Sequence, residues 1–578
     1  MPASIHIDVD VPMEMRDGAI LRANIYRPDD NQKYPAIFMR AFWKTYGSFW
    51  HIDIFRAIYH GYALVGQVIR GRGTSAGDWV PEASQSKDGY DSVEWIANQS
   101  WCNGVVGQFG FSHAGGMAAQ TAMENPPHLK AIAPCSSGVR TGGGQDTPGG
   151  YNTGGAISYI TALQWLSNES RDVVNRMERQ GKDVTEIRRS LEWAASNPDE
   201  YINFLPFKDM PFTKFERIGT MWTNRFRGTP QRSTGEVKTY ERVMVPCAHL
   251  TGWYDGPCIG TFESFVNMRK RGGSQLAREN QYMLCGPWAH TEHMENYLGD
   301  WNFGNTAVES PSSYLLDFFD KHLQGKDIKI APVRYFLMGR NQWLESNDWP
   351  LAETQWQRFY LHSNGKANTS SGDGLLSRDE PHSEPPDKFV YDPLNPVPTL
   401  GGNITASPAG FGLARGPMDQ SYLERRGDVL CYTTPPLTEN VEITGPLQIH
   451  IFASTSARDT DFTATFVDVY PDGRSQNLVD GIKRAKGLKS PASPEFITPD
   501  QVYEYVITMG PTSQMFFKGH RMRIDISSSN FPMYDRNMNT GNPIGEDATG
   551  VKANQTVYHQ AEYASYIDLP VIPDRFKV

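Results

Sequence analysis

The stretch Gly107-Gln-Phe-Gly-Phe-Ser-His-Ala-Gly-Gly116 closes an apolar, strand-like run on a serine set among small residues, and a helix-forming segment follows. A strand-to-helix turn of this composition displays a nucleophile. Gly110 and Ala114 lie where a bulky side chain would collide with the neighbouring strand or helix, so Ser112 can point into a site above a sheet. The wording is Gly-x-Ser-x-Ala, looser than Gly-x-Ser-x-Gly, and alone it also describes an ordinary strand-to-helix turn. Two further apolar runs supply partners. Residues 243–250 lead into Thr251-Gly-Trp-Tyr-Asp-Gly-Pro257, and residues 281–285 lead into Gly286-Pro-Trp-Ala-His290. Taken singly, Asp255 reads as a turn residue and His290 as a loop histidine. Taken together, Ser112, Asp255 and His290 stand at three strand ends in the order of an α/β-hydrolase triad, where the histidine removes the serine proton and the acid orients the imidazole. The chemistry this predicts is acyl transfer through a covalent serine intermediate.

The elements that must position these residues are legible as a rhythm. Ile5, Ile7, Val9 and Val11 alternate with polar residues, Arg16-Asp17-Gly18 marks a turn, and residues 20–26 return, which predicts an opening β-hairpin. Strand-like runs at 35–40, 63–68, 105–111, 129–134, 243–250 and 282–285 alternate with helical or loop segments, the pattern of a mostly parallel sheet in an α/β fold. Residues 151–225 break the rhythm: Tyr159, Ile160, Leu163, Trp165 and Leu166 cluster at helical spacing and a charged run from Arg171 to Arg189 follows. An insertion between the nucleophile and acid strands sits where a cap would cover the site; a helical layer packed away from substrate is the plainer reading. Leu315, Leu316, Phe318, Phe319 and Leu323 form an amphipathic helix that Gly325 can end. Beyond Ala331 the runs 333–338, 357–361, 447–452, 462–469, 503–508 and 521–526 are short strand candidates between Pro/Gly/Ser/Asn-rich loops, which predicts a β-sandwich. Residues 363–427 are loop-rich but hold the strand-like Phe389-Val-Tyr391 and read as an ornament of that domain. The expected division is 1–150 with 226–331 as the catalytic domain, 151–225 as an insertion and 332–578 as the β domain.

Composition narrows the function. A chain of 578 residues is too long for one core, and roughly two to four domains are expected. The formal net charge is −10 with acids and bases intermixed and no Lys/Arg block, so nucleic acid is not an expected partner. The six cysteines contain no Cys-x-x-Cys pair and several sit in apolar runs, reading as buried thiols of a reducing compartment. The start, Met1-Pro-Ala-Ser-Ile-His-Ile-Asp, lacks a basic segment followed by an apolar one, and no apolar run reaches about 18 residues. A cytoplasmic location without membrane association is expected. Gly71-Arg-Gly-Thr-Ser-Ala-Gly77 places its last glycine one position late for a dinucleotide loop. His290-Thr-Glu-His293 spaces its histidines three apart, whereas a zinc-binding His-Glu-x-x-His helix needs four. Neither cofactor nor metal is expected, and His293 is a second candidate for the base. The expected partner is a small-molecule ester or amide, with homo-oligomer formation left open.

At these motifs the chain resembles the serine hydrolases that include bacterial cocaine esterase, X-prolyl dipeptidyl-peptidases and α-amino-acid ester hydrolases. The resemblance spans nearly the whole chain through Arg70-Gly-Arg-Gly-Thr-Ser-Ala-Gly77, Asp88-Gly-Tyr-Asp91 with Trp95-Ile96, Trp101-Cys-Asn-Gly104, the turn at Ser112, Gly252-Trp-Tyr-Asp-Gly256 and Gly286-Pro-Trp-Ala-His290. It implies an α/β-hydrolase domain with an inserted helical cap plus a C-terminal jelly-roll β-sandwich, and it implies the same triad. One oxyanion donor is expected from the backbone N–H of His113, the residue after the nucleophile. The family's second donor is commonly a tyrosine in wording like Arg-x-Pro-Tyr. Here the chain reads Arg40-Ala-Phe-Trp-Lys-Thr-Tyr46, so an ungapped match gives Trp43 and a small insertion gives Tyr46. His113 also stands where the family commonly has tyrosine. Phe42, Trp253 and Trp288 are the pocket candidates. The favoured substrate is a carboxylic ester with an aromatic moiety, because Phe42, Trp43, Tyr46, Phe49 and Trp50 crowd one loop, although loop packing explains them equally. An amidase or X-prolyl dipeptidyl aminopeptidase is the enzymatic alternative. A carbohydrate- or surface-binding protein with a degenerate hydrolase domain is the alternative of another class, and the intact Ser-Asp-His set argues against it.

Overall fold

The structure is a computed structural model and describes residues 4–42, 51–78, 85–139, 153–215, 219, 240–405, 411–488 and 495–576. The first unit is a ten-stranded sheet. Its strands in chain order are β1 (Ile5–Glu14), β2 (Ile20–Pro28), β3 (Tyr34–Ala41), β4 (Ala63–Val68), β5 (Cys102–Phe111), β6 (Leu129–Cys135), β7 (Cys247–Gly252) and β8 (Gln281–Gly286). A separate ribbon of β9 (Tyr297–Leu298) and β10 (Trp301–Asn302) precedes β11 (Val333–Leu337) and β12 (Gln342–Ser346). The spatial order is β1-β2-β4-β3-β5-β6-β7-β8-β11-β12. β1 and β2 form the antiparallel hairpin that the alternating residues predict, and β3 to β8 run parallel.

Strands β4, β7 and β8 are buried at every position, as a parallel sheet covered on both faces requires. Alternation along β3 distributes the two faces: Ile37 and Met39 join the apolar layer that includes Leu315, Phe318 and Phe319, whereas Ala36 and Phe38 join the layer that includes Val93, Ile96 and Ala119. The first layer is supplied by α1 (Ile54–Tyr59) and a late helix, the second by α2 (Gln85–Ala97) and α3 (His113–Ala122). Between β6 and β7 lie α4 (Tyr159–Arg179), α5 (Thr185–Ser196) and α6 (Pro198–Asn203), the expected helical insertion. Then α7 (Cys258–Arg271) and α8 (Gln275–Glu279) connect β7 to β8, and α9 (Pro311–Leu323) leads to β11. Gly325 follows α9 at φ +69°, a left-handed position that glycine adopts at least cost.

The β-sandwich reading of residues 333–338 is corrected. β11 pairs in parallel with β8, Val333 opposite Met283 and Tyr335 opposite Cys285, and β12 pairs antiparallel with β11. Both strands therefore complete the first sheet. The physical reason is a βαβ crossover: a parallel partner for β8 needs a long connection, and α9 with its flanks supplies it.

The second unit is an eleven-stranded sheet beginning with Gln355–His362. Its longest strand, Val441–Thr455, pairs antiparallel with Tyr503–Phe516, Ala553–Tyr558 and Tyr566–Ile572. Asp461–Val469 pairs with Ser475–Arg484 on one side and Arg521–Ser527 on the other. The two units share one apolar core, in which Trp253, Phe262, Met283 and Tyr335 of the first pack with Ile449, Phe466 and Tyr505 of the second. The insertion bridges both: Tyr159 and Ile160 donate backbone N–H bonds to Met533 and Pro532.

Candidate active site

The turn after β5 forces Ser112 to φ +59° and ψ −124°. That left-handed backbone is costly for serine, about 1–3 kcal/mol, and it is held by packing that only small residues allow. A Cβ on Gly110 would lie 2.2 Å from the Ala114 backbone, and one on Gly115 would lie 2.9 Å from the Cys135 carbonyl oxygen. Ser112 N–H donates to Cys135 O at 2.9 Å, tying the turn to the end of β6. His113 then opens α3, so its N–H lies in the first helical turn, at the positive end of the helix dipole.

Asp255 and His290 meet. His290 Nδ1 lies 2.7 Å from Asp255 Oδ1, and Thr251 Oγ1 donates to Asp255 Oδ2 at 3.1 Å. Asp255 is fully buried and His290 is 7% exposed. With Nδ1–H directed at the carboxylate, Nε2 is left as the basic nitrogen. The loops that carry the pair are zipped together: Trp253 N–H donates to Gly286 O at 2.9 Å and Tyr254 N–H to Trp288 O at 3.0 Å. The close approach needs glycines, since a Cβ on Gly252 would lie 2.1 Å from Trp288 O and one on Gly286 would lie 2.3 Å from the indole. Phe111, next to Ser112, packs on His290 with ring centres 4.6 Å apart, which brings the Ser112 turn to the pair. No hydrogen bond joins Ser112 Oγ to the His290 ring; catalytic bonds of this kind are often long without substrate and tighten in its complex.

The other candidates divide. Phe42 lies over the turn, its ring 4.0 Å from that of His113 and 6.0 Å from Trp165. Trp253 and Trp288 are corrected from pocket residues to interior ones, at 2% and 1% exposure. Each indole N–H is spent on a backbone carbonyl, Trp253 on Phe336 O at 2.8 Å and Trp288 on Ala307 O at 3.1 Å. Trp288 is the wedge between the two zipped loops. Trp43 and Tyr46 lie outside the described residues. His293 does not reach the acid: its Nδ1 pairs with His51 Nε2 at 3.2 Å. Burial, with the neighbouring His51 and His290, holds His293 well below the usual histidine range, and burial first, then His290, pushes His51 down to about 3. Among the described residues, no cluster of His, Cys, Asp or Glu is arranged to hold a metal, and no helix is long and apolar enough to cross a membrane.

Several residues of the site were not singled out from sequence. Thr251 is four residues before Asp255, a spacing that carries no signal of its own. Trp165 appears in the sequence only as part of a helical cluster, yet α4 brings it against His113 at 6.5 Å. Arg72 belongs to the glycine-rich loop read above as a weak dinucleotide motif. It is an anchor for the insertion: its guanidinium pairs with Glu169 and, at 3.0 Å, with Asp172, and stands 5.2 Å from the Phe42 ring centre.

Comparison with known proteins places this geometry. Residues 17–292 match the X-Pro dipeptidyl-peptidase (S15 family), and residues 329–568 match the X-Pro dipeptidyl-peptidase C-terminal non-catalytic domain. That second match begins upstream of β11, so the family boundary does not coincide with the edge of the first sheet. Cocaine esterase of Rhodococcus sp. (strain MB1 Bresler) is 34% identical over 591 aligned residues, covering 98% of this chain and 99% of the esterase. An aminopeptidase from the marine sediment archaeon Thaumarchaeota archaeon and an α-amino-acid ester hydrolase each superpose with a TM-score of 0.74 at 23% identity. They cover 99% of this chain and 96% and 97% of their own, a likeness of fold. The chain belongs to the serine-hydrolase family that unites cocaine esterase, α-amino-acid ester hydrolases and X-Pro dipeptidyl-peptidases, and it is an enzyme, a hydrolase.

Proposed function

We propose that this chain hydrolyses carboxylic esters through an acyl-enzyme on Ser112. His290 Nε2 removes the Ser112 proton as Oγ attacks the ester carbonyl, and Asp255 holds the imidazole and balances the imidazolium. His290 then returns the proton to the departing alcohol, and later activates water against the acyl-enzyme. The His113 N–H is one oxyanion donor, and Trp43 or Tyr46 supplies the second. The reading rests on the 2.7 Å Asp255–His290 bond beside the strained Ser112 turn. The strand order around that turn supports an α/β-hydrolase domain with α4–α6 as its cap, and the paired strands beyond Gln355 support a jelly-roll sandwich. Six buried thiols fit a cytoplasmic enzyme.

Ester is favoured over the peptide amide of an X-prolyl aminopeptidase by the wall that α4 brings to the turn. An aminopeptidase must hold a substrate ammonium with carboxylates, but Glu169 and Asp172 are already engaged by Arg72. The aromatic faces of Phe42 and Trp165 suit an aromatic ester instead. A panel of aryl and alkyl esters beside X-Pro amides, with Ser112→Ala as control, tests this. Turnover of esters over amides, lost in Ser112→Ala, is expected; preferential cleavage of X-Pro amides would reverse the assignment.

A further inference from the structure

The chain that carries His290 forms neither helix nor strand between β8 and β9, so its side chains keep their places through ties to the rest of the molecule. The zip through Gly286 and Trp288 fixes the residues before His290, and Arg415 of the second unit donates to Thr291 Oγ1 at 3.1 Å. After His290, the loop is tied to the first unit by His293, whose Nδ1 lies 3.2 Å from His51 Nε2. His51 is a fixed post. The chain beyond it enters α1, where the capping Asp53 accepts from Arg56 N–H at 2.8 Å and donates its own N–H to Ser312 Oγ of α9 at 3.0 Å.

The contacts close into a circuit. His51 stacks on Phe111 with ring centres 4.4 Å apart, Phe111 packs on His290 at 4.6 Å, and His290 is three residues from His293, which returns to His51. Phe111 immediately precedes Ser112, so the circuit joins the His290 ring to the Ser112 turn.

Packing alone does not account for two histidines here. Both rings are buried, and His51 Nδ1 and His293 Nε2 bond no described group. A neutral imidazole carries one N–H and one bare nitrogen. One N–H fills the shared bond, so in either tautomer the other lies on one of the two outer nitrogens, and a buried donor left unmade is costly. Apolar side chains of the same shape would fill the space without that cost. What only the polar pair supplies is a bond of fixed direction. Burial first, then the neighbouring imidazoles, holds both rings well below the usual histidine range, so the pair stays neutral beside the charge that His290 takes up in the reaction.

We propose that His51 and His293 are positioning residues for ester hydrolysis: their mutual hydrogen bond holds the loop so that the His290 ring stays on Phe111, beside the Ser112 turn. Because this rests on His290 as the base, His290→Ala is measured beside the variants that test the pair.

The test moves an amide by one carbon. An asparagine side chain puts its amide where Nδ1 of a histidine lies, and a glutamine puts it near Nε2. His293→Asn and His51→Gln therefore keep a partner at the shared bond, whereas His293→Gln and His51→Asn displace it. Steady-state kinetics are measured below the thermal midpoint of every variant. The first two should keep kcat within about fivefold of the unaltered chain. The second two should lose at least about tenfold in kcat with KM nearly unchanged, since a displacement of about 1 Å at a reacting group costs on the order of 10²-fold. A role in packing alone would lower the midpoint without this crossed ranking. If a single variant does not fold, His51→Gln and His293→Asn combined in one chain keep a donor facing an acceptor and should turn over within about fivefold of the unaltered chain; a larger deficit in that folded variant overturns the proposal. Equal kcat for Asn and Gln at either position, with turnover lost in His290→Ala, overturns the proposal alone. Turnover that survives His290→Ala overturns the base assignment and the proposal with it.

Discussion

At the residue scale, three histidines surround one phenylalanine, and their partners separate their roles. His51 stacks on Phe111 at 4.4 Å, His290 packs on the same ring at 4.6 Å, and His293 meets it edge-on at 5.5 Å. Only His290 touches a carboxylate. His51, pushed down to about 3, stays neutral when folded and takes a proton near pH ~6.5 when unfolded. A depressed histidine contributes stability above its unfolded pKa and loses it as pH falls toward the folded value. Buried acids such as Asp459, pushed up to about 6, act in the opposite sense, so the contribution must be isolated by difference. Relative to His51→Phe, which keeps a ring against Phe111, the unaltered protein should lose stability steadily from pH ~6.5 toward pH ~4 in denaturant titrations. A constant difference across that range would show that His51 is not buried in its neutral form. The His51–His293 pairing spans 242 positions of sequence, and no local pattern announces a contact of that kind. Ser112, Asp255 and His290 stand out in the sequence because each follows its own apolar run, and the structure brings Asp255 to His290, whereas buried Trp253 and Trp288 look in a sequence like any aromatic pocket wall.

At the element scale, the site is made by two strand-end loops that approach because Gly252 and Gly286 leave room for Trp288. Replacing Gly252 by Ala puts a methyl group against the Trp288 carbonyl and drives the acid loop from the histidine loop. Displacements of about 1 Å at such a site cost on the order of 10²-fold in turnover. Gly252→Ala should therefore lower kcat by about that factor with KM nearly unchanged, as steady-state kinetics will show; wild-type kcat would mean that the loops are not coupled through Trp288. Strands differ in how plainly the sequence marks them. β4, β7 and β8 are buried throughout and mostly apolar, and they read at once. Ser475–Arg484 is almost wholly buried yet carries Gln476, Asn477, Asp480 and Arg484, so hydropathy hides it. Its polar residues meet partners rather than water: Gln476 bonds the Tyr254 and Tyr470 hydroxyls, Asn477 Oδ1 accepts from Met418 N–H, Asp480 Oδ1 accepts from Tyr534 Oη, and Arg484 pairs with Asp461 and Asp535.

At the scale of the whole molecule, the second unit is not a trailing module. β11 and β12 close the first sheet, and Trp253, Tyr335 and Phe336 are covered by residues such as Ile449 and Tyr505. A chain ended at Gly325 lacks the strand that pairs with β8, the strand leading to His290. One ended at Ser346 restores that pairing but exposes the shared apolar core to water. Both fragments should be insoluble or inactive, measured by recovery in the soluble fraction and ester turnover; an active, soluble 1–346 fragment would make the β unit an independent domain. The shift to the second unit was legible as a change from alternating helices and strands to strands alone, but residues 333–338 read as a first sandwich strand because a βαβ return has the same short apolar wording. Central to the whole account is the assignment of Ser112 as the nucleophile. Intact-mass and peptide mass spectrometry after treatment with an aryl organophosphate tests it most directly. The account predicts one covalent adduct, on Ser112, appearing in step with the loss of ester turnover. An adduct on another residue, accompanied by full turnover in Ser112→Ala, would contradict it.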